Sequence, residues 1–257
     1  MSKKIGLALG SGSARGFAHL GILEVFEQYK IKPDIIVGSS MGSVIGGIYS
    51  CGTDLEKIIK LIPMLNEKDY FDIISPRKGG FLKGERFQQL INMFTKNYTF
   101  EKTEIEFACV SVDLMCGELV VHDKGNIADG IRASMSIPGV FTPHELNGRI
   151  LVDGGVMCRV PASIARDKGA DVVIGVDVGY RGGYTCDDFH GMIDTITAAT
   201  DIMGWQIQKH MDKDADIMLL PPVRVVNPNT FKDFEYAVEM GRKVANDNIE
   251  QILELIE

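Results

Sequence analysis

Two short apolar runs, Ile5-Gly-Leu-Ala-Leu9 and Ile35-Ile-Val37, flank a segment with helical spacing, and the second run opens directly into Gly38-Ser39-Ser40-Met41-Gly42. Runs this short, without polar alternation, read as strands buried on both faces. Phe17, Leu20, Leu23 and Phe26 recur at helical spacing between them, which predicts a helix over about Ala14–Tyr29, closed by Pro33. A second, Gly-rich helix follows the Gly38–Gly42 turn and runs to about Cys51. Such a β-α-β-α opening commits a chain to a mainly parallel sheet with helices on its faces.

The same patterning extends along the chain. Helices are expected over Asp54–Leu65, Glu85–Thr95, Ile127–Ser134, from Pro161 onward, over Asp194–Asp212, and over Phe234–Ile256 as a closing amphipathic helix. Strands are expected at Phe107–Asp113, Leu119–His122, Arg149–Val152, Val172–Val178 and Ile217–Leu220, the last ended by Pro221-Pro222. Asp69–Gly84, with Pro76, Gly79, Gly80 and Gly84, is irregular, and Tyr180–Asp188 reads as a polar loop. No repeat or interdomain linker interrupts the pattern, so residues 1–257 are expected to form one α/β domain, with 63–100 a candidate cap over the site.

Charge and cysteine content narrow the function classes. A formal net charge of −8 argues against nucleic acid as the main partner, although it leaves room for a local basic patch beside a lipid headgroup. Five cysteines (Cys51, Cys109, Cys116, Cys158 and Cys186), an odd number without C-x-x-C spacing, favour reduced thiols in a cytoplasmic setting over a disulfide frame or a zinc site. The basic and apolar start resembles a signal peptide, but the apolar run is short and meets Arg15 without a convincing cleavage site. Ile35–Thr53 carries no charge and is long enough for a membrane span, yet about half of it is Gly, Ser or Thr; a strand, turn and buried helix fit it better.

Three segments carry chemistry. Gly38–Gly42 matches G-x-S-x-G in a strand–turn–helix setting, which presents Ser40 on a strained elbow whose glycines remove Cβ clashes, with helix N–H groups close to a developing oxyanion. Gly10-Ser-Gly-Ser-Ala-Arg-Gly16 places backbone N–H groups at a helix start, where they can hold an anion. As a dinucleotide fingerprint it fails at the sixth position, Arg15, and no Walker lysine follows. Read as an oxyanion hole, the N–H groups of Ser11, Gly12 and Ser13 serve, with Met41 as a further donor. Asp153-Gly154-Gly155 ends an apolar strand and lifts a carboxylate from the sheet edge, although a D-G turn is common without catalysis.

Of His19, His122, His144, His190 and His210, only the last two follow Asp153, and neither sits in a catalytic context; His19 reads as structural or supporting. A Ser–acid–histidine order with several strands before the elbow, as in α/β-hydrolases, is therefore absent. A Ser40–Asp153 pair without histidine is the better reading.

These blocks, together with Ala133-Ser134-Met-Ser-Ile-Pro138, occur in the order that resembles the patatin-like phospholipase family, specifically its compact bacterial branch, over nearly the whole chain. One departure stands in the first block, where serines occupy positions 11 and 13 in place of glycines common in the family. The resemblance implies a three-layer α/β/α fold and a phospholipase A or lysophospholipase-like serine acyl hydrolase acting through an acyl-enzyme. It implies Ser40 and Asp153 as the catalytic pair, with support from Gly10, Arg15, Gly16, Gly38, Gly42, Ser134, Pro138, Gly154 and Gly155. Arg15 either orients the first turn or meets a substrate phosphate.

Acyl lipids or esters are the expected substrates, with no cofactor and no metal, since no D-x-D-x-D-G loop is present. Peripheral membrane contact and a homo-oligomer are compatible expectations. Phe71, Phe81, Leu82, Met192, Met203 and Trp205 are candidates for an acyl channel or interfacial surface, or else for the core. Three other functions compete: a general carboxylesterase or thioesterase, a non-catalytic lipid-binding regulator of the same fold, and a nucleotide-binding enzyme.

Overall fold

A computed structural model of the chain describes residues 3–65, 70–75, 79–186, 191–211, 214–227 and 230–257. Asp69, Pro76, Asp188, His190 and Asp212 lie outside the described residues.

The main sheet holds eight strands. Five of them, β1 (Ile5–Leu9), β2 (Ile35–Ser39), β4 (Glu106–Asp113), β9 (Val172–Val176) and β10 (Ile217–Leu219), run parallel in the order β10-β9-β1-β2-β4. The others are antiparallel: β5 (Glu118–His122) and β8 (Arg149–Asp153) flank β4, and β7 (His144–Leu146) pairs with β8. A second, two-stranded sheet joins β3 (Gly80–Leu82) to β6 (Gly139–Phe141).

Side-chain alternation along the central strands builds two cores of unequal depth. Leu7, Leu9, Ile36, Phe107 and Cys109 face a thick layer of helices: α1 (Ala18–Gln28), α2 (Met41–Ser50), α5 (Ile127–Ser134) and α8 (Phe234–Asp247). Two further helices, α3 (Leu55–Leu61) and α4 (Glu85–Phe94), pack on the same side through Ile58 and Ile91. Ala8, Ile35, Val37 and Ala108 face the other side, where α6 (Ala162–Asp167) lies close because the residues between are small. Near-continuous apolar strands with helices over both faces are the physical basis of the three-layer α/β/α arrangement.

Several elements differ from the sequence pattern. The first helix begins as a 3-10 turn over Ser13–Phe17 and becomes α-helical only at Ala18, because Ser13 takes a positive φ of 50° at the end of the glycine-rich turn. The closing helix breaks at Asn248 into α8 and α9 (Ile249–Ile256). Pro63 sits in a 3-10 turn, which stops α3 short of Leu65. Strands β3, β6 and β7 were not legible as strands: each has three residues, too few for a period. The segment 35–53 is strand, turn and helix, as its composition predicts, and among the described residues no helix is long and apolar enough to cross a membrane.

Strand register brings the two ends of the site together. On one edge of β4, β2 arrives in parallel and ends with Ser39 opposite Val110, while β8 arrives antiparallel and ends with Asp153 opposite Ser111. The two strands therefore point at each other across adjacent β4 residues. Whatever follows β2 meets whatever ends β8.

Candidate active site

Ser40 follows β2 and precedes α2, with φ 53° and ψ −123°. A non-glycine residue in this region stores about 1–3 kcal/mol of strain, which the surrounding structure must hold. The flanking residues show how. A Cβ on Gly42 would stand 2.1 Å from the Leu9 carbonyl oxygen, and one on Gly38 would stand 2.4 Å from the Ser43 Cα. Only glycine lets β1, the elbow and α2 approach this closely. Ser43 Oγ donates to the Ser40 carbonyl at 2.6 Å and pins the turn from inside α2.

Ser40 Oγ donates to Asp153 Oδ2 at 2.6 Å, and both residues are almost fully buried. The other carboxylate oxygen, Oδ1, accepts the Gly155 N–H at 2.7 Å, so Asp153 caps the 3-10 turn Gly154–Val156 while facing the serine. Ser134, at the end of α5, accepts the Ser40 N–H on its Oγ at 2.9 Å. Burial pushes the Asp153 carboxyl up to about 7, against the opposing pull of the Ser40 and Gly155 hydrogen bonds; the Asp201 charge adds to the rise. The carboxyl is therefore poised near neutrality, well above the ordinary carboxylate range.

Among the described residues, no histidine hydrogen-bonds to this pair or borders the cavity over it. His19 is buried and held neutral by desolvation, with its pKa lowered to about 4, and its Nε2–H donates to the Gly10 carbonyl at 2.8 Å. It ties α1 to the first turn. His122 meets Ser111 at 2.7 Å, and burial lowers both it and His144 to about 4.

A small cavity of about 60 Å³ opens over Ser40 and Asp153, bordered by Gly12, Ser13, Pro138 and Gly155. Three of its walls had no motif to announce them: Arg159 after β8, and Thr200 and Asp201 from α7 (Met192–Met211). Thr197, Thr200 and Gly204 at helical spacing form a stripe of small residues on α7, the one trace in sequence of a helix that crosses a site. Arg15 is buried beside this wall, its Nη1 3.6 Å from Asp201 Oδ2.

The first turn supplies fewer donors than its sequence suggests. The Ser11 N–H already donates to the Arg159 carbonyl at 2.9 Å, which corrects its expected role as a free donor. Among the described residues, the N–H groups of Gly12 and Ser13 have no protein acceptor, and Met41 opens α2, where a first-turn N–H has no partner within the helix. Gly10 hands its own N–H to Val176, and Gly16 packs under Met41.

Beside the small cavity lies a larger apolar one of about 330 Å³, which shares Ser13, Ile137 and Thr197 with it. Phe71, Phe81 and Leu82 line it, together with Phe87, Phe141 and Phe231. Met192 and Met203 are instead exposed on α7, and Trp205 packs edge-on to Tyr180 and beneath Lys209. All five cysteines are free thiols, with Cys51, Cys109 and Cys158 buried. Among the described residues, no group of three His, Cys, Asp or Glu side chains is placed to hold a metal ion.

The model of the patatin-like phospholipase family matches residues 7–166, from β1 through the elbow, Asp153 and α6. The chain is 33% identical over 179 residues to an uncharacterized NTE family protein of Mycobacterium tuberculosis, covering 69% of this chain and 49% of that protein. It is 31% identical over 187 residues to lysophospholipase NTE1 of Candida albicans, covering 69% of this chain and 13% of that one. It thus spans about half the length of the mycobacterial relative and a small part of the yeast one.

Among solved structures, VipD of Legionella pneumophila superposes with a TM-score of 0.67 at 14% identity, covering 97% of this chain and 67% of that one. ExoU of Pseudomonas aeruginosa, in complex with SpcU, superposes at 0.56 and 11% identity, covering 100% and 53%. The chain belongs to the patatin-like phospholipase family, and its fold is the three-layer α/β/α arrangement of these structures.

Proposed function

We propose that the protein is a serine acyl hydrolase acting on lipid esters, a phospholipase A or lysophospholipase-like enzyme of the compact bacterial branch, with Ser40 as nucleophile and Asp153 as its sole proton acceptor. The observation that carries this reading is the 2.6 Å hydrogen bond from Ser40 Oγ to a buried carboxylate, on an elbow held at positive φ. A base titrating near 7 is well matched to its task at neutral pH, because it is substantially ionised yet still basic enough to take a proton.

In the first step Ser40 Oγ attacks the ester carbonyl while its proton passes to Asp153 Oδ2. The oxyanion is held by the N–H groups of Gly12 and Ser13, with Met41 N–H as a third donor. One such donor typically lowers the barrier by about 3 kcal/mol. Asp153 returns the proton to the departing alcohol, leaving an ester on Ser40. Water then attacks that ester with Asp153 again as base, and the fatty acid leaves. Ser134 positions Ser40 through its backbone N–H, and the Gly155 N–H holds the Asp153 carboxylate in line.

The apolar cavity favours an acyl chain over a short acetyl group, because it shares walls with the catalytic cavity and is lined by aromatic rings. Residues 80–87 of the expected cap supply Phe81, Leu82 and Phe87 to it. Met192, Ile196, Met203 and Ile207 recur along one exposed stripe of α7, which supports peripheral contact with a lipid surface at the mouth of the site.

The test compares p-nitrophenyl esters of increasing chain length with wild type and Ser40→Ala. Turnover that rises from short to long acyl groups and falls by about 10³-fold or more in folded Ser40→Ala supports the assignment. Equal activity in the two proteins removes Ser40 as the nucleophile. Activity confined to short esters favours the general carboxylesterase instead.

A further inference from the structure

A third cavity, of about 240 Å³, opens where the chain leaves the carboxyl ends of β1, β9 and β10. Crevices outside the carboxyl ends of parallel strands are the usual ligand positions of open α/β sheets. Arg15 lies at its inner wall, and Arg181 and Arg224 lie at its mouth, beside Tyr180. Arg159 packs directly against Gly179 of the same wall, where a Cβ would stand 1.6 Å from its Nη2.

The guanidinium groups of Arg15, Arg181 and Arg224 in the lining, with Arg159 behind Gly179, face only two carboxylates, and Arg224 Nη2 also donates to the Gly183 carbonyl at 2.9 Å. Asp177 takes Arg159 Nε at 3.3 Å and Arg181 Nε at 3.0 Å, and Asp201 faces Arg15. The excess is positive, in a chain whose formal net charge is −8. Arg159 and Arg15 are 4% and 6% exposed, yet Arg159 Nη1 and Nη2 and Arg15 Nε have no protein acceptor among the described residues. Buried donors left in this way are costly, more so on charged groups, and native proteins leave few of them. Planar guanidinium groups carrying such donors are suited to bind a phosphate in bidentate fashion.

We propose that this arginine cavity binds a phosphate ester. Arg181 and Arg224 engage its oxygens from the solvent side, and Arg15 and Arg159 supply the buried positive charge. This cavity and the Ser40 cavity are linked through ion pairing and packing: Arg15, which lines this one, pairs with Asp201, which borders the Ser40 cavity, and Arg159, which borders the Ser40 cavity, packs against Gly179 of this one. In the headgroup form, which rests on the acyl-hydrolase reading above, the phosphate belongs to the lipid being cleaved. In the other form it belongs to a free phosphorylated metabolite that binds independently of the ester.

The test uses the full chain, Arg181→Ala/Arg224→Ala and, because Arg181 also pairs with Asp177, Arg224→Ala alone. The first arm measures thermal shifts with glycerol 3-phosphate and inorganic phosphate against chloride at equal ionic strength. The second compares kcat/KM for a lysophospholipid and for the monoacylglycerol of the same chain. A fall of about tenfold or more in the lysophospholipid-to-monoacylglycerol ratio, driven by KM, supports the headgroup source. Stabilisation of wild type by glycerol 3-phosphate that is lost in the variants, with that ratio unchanged, supports a free phosphate ester. No phosphate-dependent shift in wild type together with an unchanged ratio overturns the site. If wild type hydrolyses neither lipid, the acyl-hydrolase reading fails while the thermal arm still decides the phosphate site.

Discussion

Asp153 concentrates the chemistry of single residues, because burial makes its proton a stability variable and, in the proposed mechanism, a catalytic one as well. For catalysis the ionised form is required, so kcat/KM on a soluble ester is expected to rise with pH through an apparent pKa near 7 and to be lost below it. A profile flat from pH 5 to 8 counts against Asp153 as the base. For stability the sign follows from the same shift. The folded carboxyl keeps its proton up to about 7, while the unfolded one loses it near 3.8. Its contribution is therefore complete below about pH 4 and lost as pH rises through 7. Asp153→Asn removes this dependence, and its melting temperature is expected to gain on wild type between pH 5 and pH 8, by the equivalent of a few kcal/mol. An equal offset at both pH values argues that the carboxyl is not shifted.

Elements position these residues through contacts that tolerate no added atom. Gly42→Ala pushes a methyl group into the Leu9 carbonyl and separates α2 from β1, so a loss of several kcal/mol in stability is expected by chemical denaturation, together with loss of the elbow. Gly241→Ala, whose Cβ would stand 1.9 Å from the Ala18 carbonyl oxygen, separates α8 from α1 in the same way but away from the Ser40 elbow; it is expected to lower stability while the remaining folded protein keeps the KM of wild type for a soluble ester. On α7, Met203→Ser and Ile207→Ser break the exposed apolar stripe. Sedimentation with anionic phospholipid vesicles is expected to fall about tenfold or more, since each large apolar side chain contributes about 1.5–3 kcal/mol when buried. Unchanged vesicle binding excludes this face as the point of contact.

For the whole molecule, the family-matched stretch is not self-sufficient. It stops at residue 166, yet β9, at Val172–Val176, pairs with all five residues of β1, and α8 covers α1. A fragment 1–170 leaves β1 as an exposed apolar edge and strips the helix from its face. It is expected to show no cooperative thermal transition by circular dichroism, whereas residues 1–257 unfold with one. A cooperative fragment transition overturns the view that the late strands complete the fold.

Local physics accounts for the features that the residues announce without their tertiary neighbours. The β-α-β-α opening follows from runs too short and too apolar for anything but buried strands, and the elbow follows from two glycines around a serine at a strand–helix junction. Ser40, the first turn, and Asp153 as the end of a strand were legible for that reason. The short strands β3, β6 and β7 and the break at Asn248 were not, since three residues carry no period and a helix end inside an amphipathic run leaves the pattern intact. Tertiary structure alone decided that Ser40 and Asp153, 113 positions apart, meet at 2.6 Å, because two strands of opposite direction end head-on against β4. It alone committed the Ser11 N–H to the Arg159 carbonyl, carried α7 and its Asp201 over the site, and gathered Arg15, Arg181 and Arg224 around one cavity. The rise of the Asp153 carboxyl toward 7 belongs there too: desolvation depends on what is packed around a group, and no neighbour in sequence supplies it.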